Sequence, residues 1–289
     1  MLKYNCLKAI LCSMLFVVSS YSSAGYIVGG ASTTITPQSN CWAWDSTCVA
    51  DFRAALENPD YFGPDGIVKE TITTVTLSEV TEESLSGVNM FIAPWVGDGD
   101  GFAFSSAVID FFLNGGDLFL LQDDSAHDVL GTLLGMSTTG SDGSVSNGGA
   151  PLFDGPFGTA SNVTQHYNVG QLSEAEILAK NGNIGGVNAS GQITSAYWAA
   201  GEYAAGAGSL FIIADVDMIA TTSNCGLPVC GGDYTNLNDN AIYGLNVFHF
   251  LRTSGGSSSP PGAPPATGVP EPASFMLLML GLLGFVRRK

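Results

Sequence analysis

The sequence predicts an α/β fold built on an open, mostly parallel, flavodoxin-like sheet with helices on both faces. Two observations favour this class. Short strands alternate with helical segments along the chain, and three of the strands are apolar at nearly every position. Strands that are apolar on both faces are typical of the buried middle of a parallel sheet. These three strands cover residues 88–93, 118–121 and 209–214.

Each element in the first half of the chain is predicted by the period of its apolar residues. In order, they are a strand over 26–28, a helix over 49–56, a strand over 71–77, the strand over 88–93, a helix over 105–113, the strand over 118–121 and a helix over 126–134. Asn114-Gly115-Gly116 ends the helix that leads into the strand over 118–121. Ser125 to Asp128 has the form of a capping box at the start of the next helix.

Glycine interrupts this pattern in the second half of the chain. Residues 137–150 are rich in Gly, Ser and Asp, which predicts a surface excursion. The remaining elements are strands over 163–169 and 192–198 around a short helix over 174–180, then the strand over 209–214 and a closing helix over 238–251. Residues 255–268 are rich in Ser, Gly and Pro and predict a flexible linker, so the globular domain is expected over 25–254.

The first 24 residues have the layout of a secretory signal peptide. Lys3 and Lys8 precede an apolar stretch over 9–18, and Ser22-Ser23-Ala24 supplies small residues for cleavage. We therefore expect export through the inner membrane and a mature chain that starts at Gly25.

The last 21 residues, 269–289, combine three features in a fixed order. Pro270-Glu271-Pro272 is followed by 12 apolar residues over 275–286 and by Arg287-Arg288-Lys289. The apolar helix is shorter than the roughly 20 residues of a stable spanning helix, and the basic end is of the kind that stays cytoplasmic. This tail resembles the PEP-CTERM sorting signal of Gram-negative bacteria. The resemblance implies transient inner-membrane anchoring, processing by exosortase, and delivery to the cell surface or the extracellular space.

The predicted mature domain is strongly acidic. Without its two ends the chain keeps four basic residues against 25 acidic ones, a net charge of −21. Such a surface repels nucleic acid and anionic lipid, so we expect no nucleic-acid partner. It also keeps a secreted protein soluble, which is the simpler explanation of the charge.

Four cysteines remain in the mature chain, as two close pairs: Cys41 with Cys48 and Cys225 with Cys230. An oxidising compartment permits disulfides, and two short local bridges are the favoured pairing. Sequence alone allows three connectivities. A four-cysteine zinc site is the alternative, although the spacers lack the tight spacing of zinc ribbons.

The order of segments is similar to that of class I glutamine-amidotransferase-like domains. The segments that carry this likeness are Val88 to Pro94, Asn114 to Leu121, Gly206 to Asp215 and the closing helix that begins Asn238-Asp239-Asn240. The resemblance covers 26–252 and implies a nucleophilic cysteine in a turn between strand and helix. The turn after the strand over 118–121 contains no cysteine, so we do not expect glutamine hydrolysis.

Histidine offers a second catalytic hypothesis, in which Ser125 is a nucleophile and His127, His166 or His249 its base. No Gly-x-Ser-x-Gly elbow surrounds Ser125. We therefore favour helix capping for this serine.

Carboxylates follow each of the three apolar strands, namely Asp98 and Asp100, Asp123 and Asp124, and Asp215 and Asp217. Ligands of open parallel sheets bind beyond the carboxyl ends of the strands. Gathered there, these acids would repel one another, and a bound Ca²⁺ would relieve the repulsion. The alternative, which we favour, is that they cap helices and fill solvated turns.

These observations favour a non-enzymatic binding or structural component of an exopolysaccharide-rich envelope or biofilm matrix, the setting that the PEP-CTERM resemblance implies. Trp42, Trp44 and Trp95 would stack on sugars if exposed, although core packing is the commoner role of an aromatic residue. The alternative is a secreted hydrolase that uses the acidic residues, with or without a metal.

Overall fold

Strands and helices alternate through most of the computed structural model, which describes residues 25–140, 144–165, 170–221 and 231–255. The strands are β1 (Tyr26–Ala31), β2 (Ile72–Leu77), β3 (Met90–Pro94), β4 (Asp117–Leu121), β5 (Thr138–Gly140), β6 (Ser144–Asn147), β7 (Asp154–Gly155), β8 (Gly158–Thr159), β9 (Val163–Gln165), β10 (Gly170–Leu172), β11 (Asn183–Asn188), β12 (Ile193–Trp198) and β13 (Leu210–Ile213). The helices are α1 (Ala50–Leu56), α2 (Glu82–Leu85), α3 (Asp98–Leu113), α4 (Val129–Leu133), α5 (Glu174–Ala179) and α6 (Asp239–Ser254).

A parallel core forms the centre of the large sheet, in the order β2-β1-β3-β4-β13. Strand β12 then pairs antiparallel with β13, and β11, β6 and β9 continue the sheet in antiparallel fashion. Strands β10 and β5 attach through β12, while β7 and β8 form a separate hairpin. The predicted α/β class is confirmed, and the antiparallel extension is an addition to it.

Helices cover both faces of the parallel core because its strands alternate between two apolar layers. Phe119 and Phe211 point to one face, where they join a core that includes Phe52 of α1 and Phe248 of α6. Their neighbours along the strands point to the other face and pack beneath α3, α4 and α5. Burial on both faces explains why the central strands are apolar throughout.

The ends of the long helices follow local chemistry. Helix α6 begins after Asn238, whose Oδ1 accepts a hydrogen bond from the Ala241 N–H at 3.0 Å. Helix α3 ends before Gly115, which has a φ of +100° and turns the chain back toward β4. The predicted stop at Asn114-Gly115-Gly116 therefore matches the observed boundary.

Three predicted elements were wrong in extent. Helix α3 begins at Asp98 instead of residue 105, so Asp98 and Asp100 lie in its first turn, where acids interact favourably with the helix dipole. Helix α4 begins at Val129 instead of residue 126. The predicted surface excursion over 137–150 contains β5 and β6, which belong to the large sheet.

Candidate functional site

The carboxyl edge of the parallel core is the edge where β3, β4 and β13 end, and it carries the six predicted aspartates. The structure divides them into two groups. Asp123, Asp215 and Asp217 lie together in the interior, with exposed fractions of 8%, 0% and 7%. Asp98, Asp100 and Asp124 lie nearer the surface, and each accepts hydrogen bonds from backbone N–H groups.

Asp98 caps a neighbouring helix. Its Oδ1 accepts hydrogen bonds from the N–H groups of Asp128 at 3.1 Å and Val129 at 3.0 Å, at the start of α4. Ser125, by contrast, has an exposed side chain four residues before α4 begins. The predicted capping box at Ser125 was therefore wrong, since an acid on another helix supplies the acceptor.

Asp100 holds the loop that follows β1 against the carboxyl edge. Its Oδ2 accepts a hydrogen bond from the Gln38 N–H at 2.7 Å. The Gln38 side chain lies so close to the start of α3 that a Cβ on Gly97 would approach it to 2.6 Å. Because the strand order reverses between β1 and β3, this is where a ligand crevice is expected in such a sheet. Gln38 fills part of that crevice.

Asp123 and Asp217 form a buried acidic pair. The pKa of Asp123 is raised to about 8, mainly by burial and in smaller part by the nearby charge of Asp217. The Val216 N–H, which donates to Asp123 Oδ1 at 2.9 Å, opposes this rise. Burial also raises the pKa of Asp217 to about 6. Asp215 Oδ1 accepts from the Asp217 N–H at 2.8 Å, which closes the turn after β13. At neutral pH the raised pKa therefore keeps a proton on Asp123.

Trp95 and His127 form a stacked pair that the sequence did not predict. Their ring centroids are 3.6 Å apart at an interplanar angle of 12°, and His127 Nδ1 lies 2.8 Å from Asp124 Oδ1. Trp95 has a φ of +45°, which is strained for a residue with a side chain. Such strain often occurs at functional sites. The only sequence signal was an aromatic residue directly after the proline that ends β3.

The catalytic hypothesis based on Ser125 finds little geometric support. Within the described residues, Ser125 makes no hydrogen bond to His127, whose Nδ1 faces Asp124 instead. His249 lies on α6 beside a different cavity, and His166 is outside the described residues. Among the described residues, neither His127 nor His249 is hydrogen-bonded to the proposed nucleophile.

Metal binding at this edge would need at least three ligands in one place. Among the described residues, no group of three or more His, Cys, Asp or Glu side chains is arranged to hold a metal ion. One cavity lined by described residues at this edge has a volume of about 10 Å³, and its lining includes Gln122, His127 and Leu130. The predicted calcium site stays a hypothesis.

The remaining predicted residues are tryptophans, cysteines and the two ends of the chain. Trp44 is fully buried and packs over Gly30, so it does not present its ring to solvent, whereas Trp42 and Trp95 are half-buried. Cys48 is disulfide-bonded. The side chain of Cys41, residues 225 and 230, the signal peptide and the tail with Pro270, Glu271 and Pro272 lie outside the described residues. The two predicted pairings stay predictions.

The comparison with protein families matches residues 268–289 to the PEP-CTERM protein-sorting motif. This motif supports an exported, exosortase-processed surface protein that is anchored at its C-terminus before cleavage. No helix within the described part of the chain is long and apolar enough to cross a membrane. The predicted anchor over 275–286 lies outside that part.

No curated protein matches the sequence of this chain. Among solved structures, the mmIFT52 N-terminal domain is similar, with 14% identity, a TM-score of 0.52, and coverage of 80% of this chain and 98% of that one. A ThuA-like protein from Bacteroides uniformis has 10% identity, a TM-score of 0.49, and coverage of 84% and 98%. At these identities the likeness to the first structure concerns the fold alone. The resemblance to amidotransferase-like domains stays a prediction.

Proposed function

We propose that this chain is a non-catalytic binding or structural component of a polysaccharide-rich envelope or biofilm matrix. The observation that carries the proposal is the sorting motif over 268–289, which directs an α/β domain to the cell surface. The acidic residues of the carboxyl edge support a non-catalytic role, since they hold backbone N–H groups of turns and helix starts. A carboxylate that is engaged in such structural hydrogen bonds is less available to act as a catalytic group.

The alternative, a secreted hydrolase, has one specific observation in its favour. The raised pKa of Asp123 would keep that carboxyl protonated near neutral pH, as a general acid requires. A glycoside hydrolase also needs a second carboxylate across a cleft that admits a sugar. Among the described residues, the cavity of about 10 Å³ beside Gln122 and His127 gives no room for a sugar, so the described geometry favours the binding role.

The proposal is tested with the chain purified from cells that export it. The chain is passed over the organism's own surface polysaccharide, immobilised on beads, at physiological salt. We expect retention, and elution by the soluble polysaccharide. An unrelated secreted protein of similar negative charge is the control for non-specific effects. Passage of the chain without retention would contradict the matrix role, and release of sugar products that Asp123→Asn abolishes would favour the hydrolase.

A further inference from the structure

A second cavity, far from the carboxyl edge, lies between α6 and the loop that precedes β2. It has a volume of about 390 Å³, within the range of roughly 300–1,000 Å³ typical of small-molecule sites. The lining residues are Ile67, Val68, Lys69, Glu70, Pro156, His249 and Arg252. We call it the Lys69 cavity. Its wall combines apolar surface with charged groups, which suits a ligand that has both.

The charge of the Lys69 cavity is opposite to that of the domain. Two of the four basic residues of the mature chain, Lys69 and Arg252, line it, although the domain has a net charge of −21. Arg252 is paired with Glu70. Lys69 is exposed and has no ion pair among the described residues. The cavity therefore carries one uncompensated positive charge.

The remaining two basic residues are engaged elsewhere. Arg53 Nη1 donates to the backbone oxygens of Trp44 and Ser46, and Lys180 Nζ lies 5.1 Å from the centroid of the Tyr203 ring. Lys69 is thus the basic residue whose position is not explained by a contact within the described chain.

Hydrogen-bonding groups complete the cavity. Arg252 Nη2 lies 3.4 Å from His249 Nδ1, and because a guanidinium can only donate, Nδ1 is the acceptor and Nε2 carries the proton. Arg252 Nε is buried and has no hydrogen-bond partner among the described residues, so the N–H groups of Nη1 and Nη2 are those that can face a ligand. The cavity offers donors from Arg252, Lys69 and His249 and an acceptor from Glu70. Ile67, at 47% exposure, and Pro156 supply an apolar rim.

We propose that the Lys69 cavity binds a carboxylate-bearing sugar unit, a uronate, of a surface polysaccharide. The single uncompensated charge matches one carboxylate, Glu70 and His249 match sugar hydroxyls, and the apolar rim matches the C–H face of the ring. This inference rests on the proposed function and names the class of polysaccharide that the matrix role requires. A doubly charged phosphate would be only half neutralised here.

The test uses isothermal titration calorimetry with the chain purified from cells that export it. The probes are an oligoglucuronate, free glucuronate, and a neutral oligoglucose of the same length. Lys69→Gln is compared with Lys180→Gln, which makes the same change of charge at a site away from the cavity. We expect oligoglucuronate to bind, Lys69→Gln to weaken binding about three- to tenfold, and Lys180→Gln to leave it unchanged.

Three results would overturn this inference: no heat with oligoglucuronate, equal binding of the neutral oligosaccharide, or equal affinity of the two lysine variants. If free glucuronate binds more tightly than the oligomer, the cavity takes the free acid and the polysaccharide assignment fails as well. Retention on the organism's polysaccharide that Lys69→Gln does not change would refute the cavity assignment and leave the proposed function standing. If the unaltered chain is not retained on the organism's polysaccharide, the proposed function itself is refuted.

Discussion

The buried acids predict that this domain becomes more stable as the pH falls from 8 toward 5. The pKa of Asp123 is raised to about 8 in the folded chain, whereas an unfolded chain has an ordinary aspartate pKa near 3.9. Between these values the folded state binds one more proton than the unfolded state. The contribution of Asp123 to the free energy of unfolding is therefore fully present below the unfolded pKa and is lost as the pH rises through the folded pKa.

The size of the effect follows from the one extra proton that the folded state binds. Each unit changes the free energy of unfolding by about 1.4 kcal/mol, so Asp123 alone contributes about 2–3 kcal/mol between pH 5 and pH 7. Asp117 and Asp217, each with a pKa raised to about 6 by burial, add to the slope below pH 6. Asp123 is 8% exposed, so solvent screening reduces this contribution little.

The perturbation that isolates this contribution is Asp123→Asn. The amide keeps an Oδ1 acceptor for the Val216 N–H but cannot ionise. Urea unfolding followed by circular dichroism at pH 5, 6, 7 and 8 should give a slope between pH 6 and 8 that is shallower than that of the unaltered chain by about 1 kcal/mol per pH unit. The variant should be the more stable of the two at pH 8.

The matched control is Asp110→Asn, which removes one negative charge from an exposed position on α3. It should keep the slope of the unaltered chain, because its side chain is in solvent in both states. If Asp123→Asn also keeps that slope, then Asp123 is ionised in the folded state at neutral pH and the reasoning above is refuted.

Three further predictions concern caps and the tail. Asp98→Ala should reduce the free energy of unfolding by about 1 kcal/mol and speed amide exchange at Asp128 and Val129. Ser125→Ala should change neither quantity. The reverse pattern would show that Ser125, and not Asp98, caps the helix. Asn238→Ala removes an acceptor that serves the N–H groups of Ala241 and Asp233, so urea unfolding should show a loss of about 1–2 kcal/mol, with a smaller loss for Asn238→Asp. Mass spectrometry of the chain recovered from the cell surface should find an end near residues 270–272, and an intact end at residue 289 would contradict processing by exosortase.

The parallel core was predictable because its signal is local. Strands β3, β4 and β13 are apolar on both faces, Pro94 ends β3, and Gly115-Gly116 directly precedes β4. The antiparallel extension was not predictable, since β5 and β6 contain Ser, Thr, Gly and Asn. These segments become strands only through pairing with distant parts of the chain. Thr138, for example, pairs with Leu172. Tertiary context decides such segments, and propensity alone does not.

Part of the candidate site could likewise be predicted from the sequence, and part of it could not. The topology of a parallel sheet predicted that the aspartates would gather at one edge, and Asp123 and Asp217 do meet there. The helix start that Asp98 caps lies 30 residues further along the chain, which no local pattern encodes. The contact between Trp95 and His127 also depends on a backbone conformation that is rare for tryptophan.

Buried carboxylates occur at both ends of the parallel core, and this bears on how any activity should be interpreted. At the amino end, Asp117 accepts hydrogen bonds from the Tyr26 hydroxyl at 2.5 Å and the Ser209 hydroxyl at 2.6 Å, and burial raises its pKa to about 6. A loss of activity or binding as the pH rises from 6 to 8 would thus be explained by the lower stability of the fold. It would not require the titration of a catalytic group. Asp123 can be assigned a catalytic role only if the activity changes with pH while the unfolding free energy, measured on the same sample, does not.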